Sequence, residues 1–205
     1  MNGGLKVITV FFSMFIFALI GAISPGPVNI IATGSGANFG FWRTLPHVLG
    51  ATIAYTLIVF LVGIGLNEVL LTYPQITEAL QYLGGGFLLY MSWKIATARP
   101  SETETQVEQK PPNLVQGALA QGLNPKAWLV SMSGVSLFVV ANSPASFYLL
   151  VFCLISFVVC FIGVGTWAAI GHLIRKLLAN DRYQVAFNRV MGLLLSCSVI
   201  TIFLN

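Results

Sequence analysis

The sequence predicts an all-α integral membrane protein with six transmembrane helices. They form a 3+3 inverted-topology repeat in which helices 1 and 4 are broken. Three observations carry this reading. Of 205 residues, 57% are hydrophobic and only 8% charged, against about 25% charged in a soluble domain. Apolar runs of membrane-spanning length recur along the chain. Ser24-Pro25-Gly26-Pro27 interrupts the first run and Asn124-Pro125-Lys126 the fourth, at corresponding positions of the two halves.

The first run, about 7–30, follows Lys6. It is too long for a signal peptide, no small-residue cleavage site follows, and apolar character resumes after Pro27. The second, about 42–64, opens on Trp42-Arg43 and meets Pro46. The third, about 76–97, closes on Trp93-Lys94. The fourth to sixth cover about 114–140, 146–171 and 186–204. Residues 98–113 are the only strongly polar stretch and read as a linker between a first repeat, 1–97, and a second, 114–205. No length remains for a soluble catalytic or nucleotide-binding module, and no Walker-type glycine loop occurs. The reading is therefore a transporter and not an enzyme. No cofactor, metal or nucleic-acid partner is expected.

Positive charge sets the expected orientation. Arg43 follows span 1. Lys94, Arg99 and Lys110 follow span 3. Arg175, Lys176, Arg182 and Arg189 follow span 5, while the other side offers Lys6. The positive-inside rule places these basic loops in the cytoplasm and both termini outside. The net charge of +4 is thus a topological signal. Three spans per half make the second half enter the membrane in the opposite sense. Gly34 with Gly134, Gly63 with Gly163, Gly65 with Gly165 and, at a larger offset, Gly84 with Gly192 extend the internal match.

The breaks are where chemistry is expected. Prolines at 25, 27 and 125 free the carbonyls of Gly21, Ile23 and Gln121, which within a bilayer must find partners or line a wet cavity. Ser24 suits an N-cap before Pro25, and Asn124 an N-cap before Pro125. Half-helix N-termini would then face a carboxylate, and freed carbonyls an ammonium. Substrate-binding candidates are Ser24, Pro25, Gly26, Pro27, Asn29, Asn124, Pro125 and Lys126. Lys126 is the sharpest of them. It lies about 18 Å into span 4, and an ionisable residue at that depth marks a functional site. It could anchor a substrate carboxylate or exchange a proton. The bland alternative is a lysine neutralised by carbonyls at the kink.

Asn29, Thr33 and Gly36 share one helical face, as Asn124, Ser131 and Gly134 approximately do. They could line a path or simply pack helices. His47, eight residues before Tyr55 on one face of span 2, is a tentative coupling residue beside Lys126; the alternative is a solvated interfacial histidine. His172 sits at a loop edge. The acids, Glu68, Glu78, Glu102, Glu104, Glu108 and Asp181, avoid mid-membrane positions. Cys153, Cys160 and Cys197 read as small core residues.

These segments resemble a known family. Ser24-Pro25-Gly26-Pro27, the run Gly40, Arg43, Pro46-His47 and Gly50, Asn124-Pro125-Lys126-Ala127, and Asn188-Arg189-Val190-Met191-Gly192 occur in the order found in LysE/RhtB amino-acid exporters. The resemblance covers nearly the whole chain. It implies export of amino acids across the inner membrane, commonly proton-linked. Two departures matter. Arg43 precedes Thr44-Leu45 where the family often has Arg-x-Gly, and span 2 reads Gly50-Ala51-Thr52-Ile53-Ala54-Tyr55 where some members carry an acid. Without that negative charge, a neutral or weakly polar amino acid fits better than lysine.

Other classes make different demands. A cation or metal-ion exporter needs clustered carboxylate, His or Cys ligands. A membrane thiol-redox carrier needs paired reactive cysteines. A purely structural subunit needs neither an intramembrane lysine nor matched breaks. The expected partners are an amino-acid substrate and membrane lipid. Small-residue spacings such as Gly50 with Ala54 leave a homo-oligomer open.

Overall fold

The elements follow from apolar runs punctuated by proline and glycine. The computed structural model describes residues 2–66, 72–98, 110–178 and 180–204. Among these residues the chain is helical, without strands. Helix α1 covers Asn2–Ile23 and α2 Pro27–Phe39; α3 covers Phe41–Leu61 and continues as a π-helical turn, Val62–Leu66. Helix α4 is Pro74–Ala96 and α5 Leu114–Gly122. Helix α6 is Pro125–Gly134, extended by a π segment, Val135–Val140. Helices α7 and α8 are Ala145–Ile174 and Asp181–Leu204.

Two continuous helices, Phe41–Gly65 and Ala145–Ile174, are long and apolar enough to cross a membrane. Two bent pairs match a span each: Val7–Ile23 with Pro27–Phe39, bent by 59°, and Leu114–Gly122 with Pro125–Val140, bent by 65°. Both expected breaks are therefore present. The six-span prediction is met in part, because α4 and α8 lie where spans 3 and 6 were expected but are less uniformly apolar. Span 1 is longer than predicted, since its second half runs on to Phe39. Pro46 sits in the second turn of α3 without ending it. Most of 98–113, with Glu102, Glu104 and Glu108, lies outside the described residues, as does Glu68.

Helix α2 turns into α3 at Gly40, whose φ of 88° favours glycine. Its N–H donates to Gly36 O at 2.9 Å. The glycine echo does not mark equivalent positions throughout. Gly65, with φ of 106°, lies at the end of the α3 π turn, whereas Gly165 lies inside the unbroken α7.

Glycine also sets helix contact at the end of the molecule bearing Arg43 and Arg175. A Cβ on Gly36 would overlap the Ala168 carbonyl, and one on Gly171 the Thr33 carbonyl. Gly50 and Gly117 make the same reciprocal arrangement with Leu114 and His47. Backbone thus meets backbone where α2 crosses α7 and α3 crosses α5, the close approach that small residues permit. The opposite end is filled by rings. Phe17 and Phe138 lie 5.5 Å apart, and Phe138 and Phe152 5.9 Å apart. Helices α4 and α8 pair through Ser92 Oγ, which donates to Gly192 O at 2.7 Å.

The buried core includes Met14, Ile31, Val48, Leu88, Met91, Phe152 and Leu195. Ile8, Ile20, Leu154, Ile162 and Leu173 are exposed, as an apolar solvent allows. Trp42 and Trp93 are also exposed, beside Arg43 and Lys94.

Candidate substrate-binding site

The two breaks meet, and the contact is direct. Lys126 Nζ, on the first turn of α6, donates to Ser24 O at 3.0 Å and lies 2.6 Å from Ser24 Oγ. A cavity of about 40 Å³ opens beside this contact. Gly26, Val28 and Asn29 line it from the first break, and Gln121, Asn124 and Lys126 from the second. Tyr55 of α3 and Cys160 and Val164 of α7 complete the wall. This space holds about three waters, so an amino acid requires the walls to part.

The backbone carbonyls freed at each break are satisfied within the protein, all but one by residues of the same broken helix. Gly21 O accepts from Ser24 Oγ at 3.1 Å. Asn29 Nδ2 donates to Ala22 O at 2.8 Å and to Ser24 O at 3.0 Å. Ile23 O accepts from Trp167 Nε1 at 3.2 Å. In the second break Asn124 N donates to Gln121 O at 3.1 Å, and Trp128 Nε1 to Gly122 O at 2.8 Å. The freed carbonyls expected to await an ammonium therefore have internal donors. An open break would leave them unpaired in a medium without water.

The N-termini differ from one another. Asn124 caps α6 as expected: Pro125 occupies the first turn and Asn124 Oδ1 accepts from Lys126 N at 3.1 Å. Ala127 N donates to Asn124 O at 2.9 Å, so this helix start is closed. The expectation that Ser24 caps the second half of span 1 is corrected. Gly26 is the N-cap, with φ −164° and ψ 174°, and Pro27 begins α2. Two prolines explain the shift, because each disfavours helical geometry in the residue before it. Ser24 and Gly26 are both so placed. No side chain caps α2, and the N–H groups of Val28 and Asn29 have no hydrogen-bond partner among the described residues.

Of the predicted site residues, Gly26, Asn29, Asn124 and Lys126 line the cavity, and Ser24 reaches it through Lys126. Pro25 is exposed, Pro27 is buried at the start of α2, and Pro125 is half-buried at the start of α6. These prolines shape the breaks and do not line the cavity. His47 is fully buried, not an interfacial solvated side chain. Its Nε2 lies 3.4 Å from the carbonyl of the cavity residue Val28, and its Nδ1 has no partner. It thus stands one layer behind the cavity.

The polar stripes divide. Thr33 Oγ1 donates back to Asn29 O at 2.8 Å, while Gly36 and Gly134 serve packing. Ser131 is buried beside Tyr55. Gln121, Cys160, Trp128 and Trp167 were not among the predicted site residues. Gln121, a polar residue within an apolar run, carried a usable signal; the others resemble ordinary core residues in sequence. His172 is exposed at the end of α7. Glu78 is exposed in α4.

Among the described residues, no group of three His, Cys, Asp or Glu side chains could hold a metal ion. The cysteines are free. Cys153 and Cys160 are seven residues apart on one helix, about 10 Å along its axis, too far for a disulfide.

Comparison with known proteins agrees with this architecture. Residues 19–201 match the LysE type translocator family. Cysteine/O-acetylserine efflux proteins from Escherichia coli O157:H7, Escherichia coli strain K12 and Shigella sonnei strain Ss046 are each 26% identical over 196 residues. The alignments cover 95% of this chain and 98% of theirs. No solved structure gives a significant match. The match over most of the chain, in which two broken helices are joined at Lys126, places the protein in the LysE type translocator family, as a transporter and not an enzyme.

Proposed function

We propose that this protein exports a small neutral or weakly polar amino acid across the bacterial inner membrane by alternating access. The observation that carries this reading is the position of Lys126. Its ammonium lies against the start of α2, so close that a Cβ on Gly26 would be 3.5 Å from Nζ. A helix N-terminus carries partial positive charge. The Val28 and Asn29 N–H groups add two open donors. Placing an ammonium there is electrostatically unfavourable until an anion joins it. A substrate carboxylate satisfies both partners. Gln121, Tyr55 and Asn29 Oδ1 supply polar groups for the ammonium end, and Cys160, Ala127 and Val164 leave room for a short side chain.

The matched relatives carry names citing cysteine and O-acetylserine, both small and without net side-chain charge, which supports the same class. Two repeats, 1–97 and 114–205, joined by the linker 98–113 and inserted in opposite senses, are the architecture this mechanism uses. The basic loops then face the cytoplasm and both termini the outside. Coupling to protons is assigned to Lys126 and His47. The support is that one is an ionisable group in the cavity wall, and the other is a buried imidazole with an open Nδ1 behind Val28.

Efflux from cells preloaded with mixed dipeptides tests the proposal. Faster release of one or a few neutral amino acids, strongly reduced by Lys126→Ala at equal membrane abundance, supports it. Saturable export of lysine or arginine, or no response for any amino acid, overturns it.

A further inference from the structure

The two ends of the molecule are closed by different means. At the end bearing Arg43 and Arg175, glycines seat backbone. A Cβ on Gly36, Gly50, Gly117 or Gly171 would overlap a carbonyl of the facing helix. At the opposite end Gly63 and Gly134 seat side chains: Leu149 faces the first, and Phe152 and Phe17 the second. Backbone contacts part only when whole helices separate. A side chain can leave its seat by changing rotamer.

The rings at that end form one layer. Phe17 of α1, Phe138 of the π segment after α6 and Phe152 of α7 pack against one another. Phe17 and Phe138 are 5.5 Å apart, Phe138 and Phe152 5.9 Å, and Phe17 and Phe152 6.5 Å, between centroids. Phe152 is fully buried. On each helix the ring stands beyond a residue of the central cavity. Phe17 is four positions from Gly21, Phe138 eight from Val130 and Phe152 eight from Cys160. These separations are about 6 to 12 Å along the helix axes.

Two irregularities accompany the layer. Phe138 sits in the π-helical segment Val135–Val140, and such segments recur at functional sites. Ser156 lies midway between Cys160 and Phe152 on one face of α7. It is fully buried, and its hydroxyl has no partner among the described residues. A buried hydroxyl left unpaired costs stability. A polar solute passing along this face would pair it.

We propose that Phe17, Phe138 and Phe152 are the gate at the end opposite the basic loops, closed in this structure. The outgoing amino acid leaves the central cavity past Ser156 when the rings turn aside. The inference rests on the export reading above. It assigns exit to the rings, and leaves binding to Lys126.

The test uses the full chain in right-side-out membrane vesicles, with Cys153→Ser/Cys197→Ser so that Cys160 is the only thiol. A charged, impermeant methanethiosulfonate is added outside. With the rings intact, Cys160 should react slowly. Phe152→Ala and Phe138→Ala should each raise its rate roughly tenfold, because lost ring packing shifts the balance between closed and open states. Phe152→Leu keeps much of the apolar volume and guards against a failure to fold; its rise should be smaller but measurable. Gly134→Ala, whose methyl would take the seat of Phe152, should act in the same direction. Phe157→Ala removes an exposed ring from the same helix and should leave the rate unchanged.

Unchanged reactivity in the Phe152 variants overturns the gate, as does an equal rise in Phe157→Ala. A rise seen only in inverted vesicles also overturns it, because the rings would then close the inner face. The thiol readout needs no substrate. The export reading fails separately, on efflux by Lys126→Ala, whatever the ring variants do.

Discussion

Lys126 Nζ and Ser24 Oγ lie 2.6 Å apart although their residues belong to different broken helices. The contact closes the two halves of the chain on one another at mid-helix depth. Ser24 Oγ also donates to Gly21 O, so its lone pair can face the ammonium. The pair leaves α2 without a side-chain cap, with a cation at its N-terminus.

Lys126→Ala should reduce efflux roughly tenfold to a hundredfold, the range for losing a hydrogen-bonded charge, at unchanged membrane abundance. Ser24→Ala removes one contact and keeps Ser24 O, so its loss should be smaller, about fivefold. Initial efflux rates normalised to protein in the membrane check both. Equal rates for Lys126→Ala and wild type would refute the role given to the lysine.

Asn124 caps α6 through Oδ1. Asn124→Ala should cost about 1 kcal/mol, a fall of roughly 2–4 °C in Tm for a chain of this size. Asn124→Asp should retain the cap and its stability. Thermal unfolding in detergent, followed by helical circular dichroism, distinguishes the two variants.

Gly171→Ala should destabilise by about 1–3 kcal/mol, since the new methyl meets the Thr33 carbonyl and backbone cannot yield as a side chain can. Gly165→Ala, in the same helix, meets nothing within 4 Å. It should be neutral or gain about 0.5–1 kcal/mol from helix propensity. The same unfolding assay reads both, and the reverse order would contradict the α2–α7 crossing.

Replacing Cys153, Cys160 and Cys197 together with serine should leave efflux within about twofold, because the two α7 thiols cannot pair. Cys160→Phe should block efflux, because Cys160 lines a cavity with room for only about three waters. Efflux by the bulky variant comparable to wild type would remove this cavity from the route.

The sequence by itself determined the helical elements, the two breaks and the lysine that stands at the second of them. These depend on local physics: apolar runs of spanning length, prolines that withdraw backbone donors, and an asparagine before proline. The ends of α4 and α5 were legible to within about two residues of those observed, within the usual uncertainty of such boundaries. The start of α2 was misread by two residues because Ser24-Pro25 and Gly26-Pro27 are both valid starts locally.

Only the tertiary structure decided which half-helix starts without a side-chain cap, and which donors close the freed carbonyls. Trp167 reaches Ile23 O from 144 residues away, and no spacing rule announces that. Gly65 and Gly165 look equivalent in sequence, yet one lies at a helix end with positive φ and the other in an unbroken helix. His47 reads as interfacial from its neighbours and is buried because α2 lies across it. Side-chain pairing across helices depends on crossing geometry, which glycine contacts such as Gly36 on Ala168 establish. That information resides in pairs of positions far apart in the chain and becomes readable only once the helices are packed.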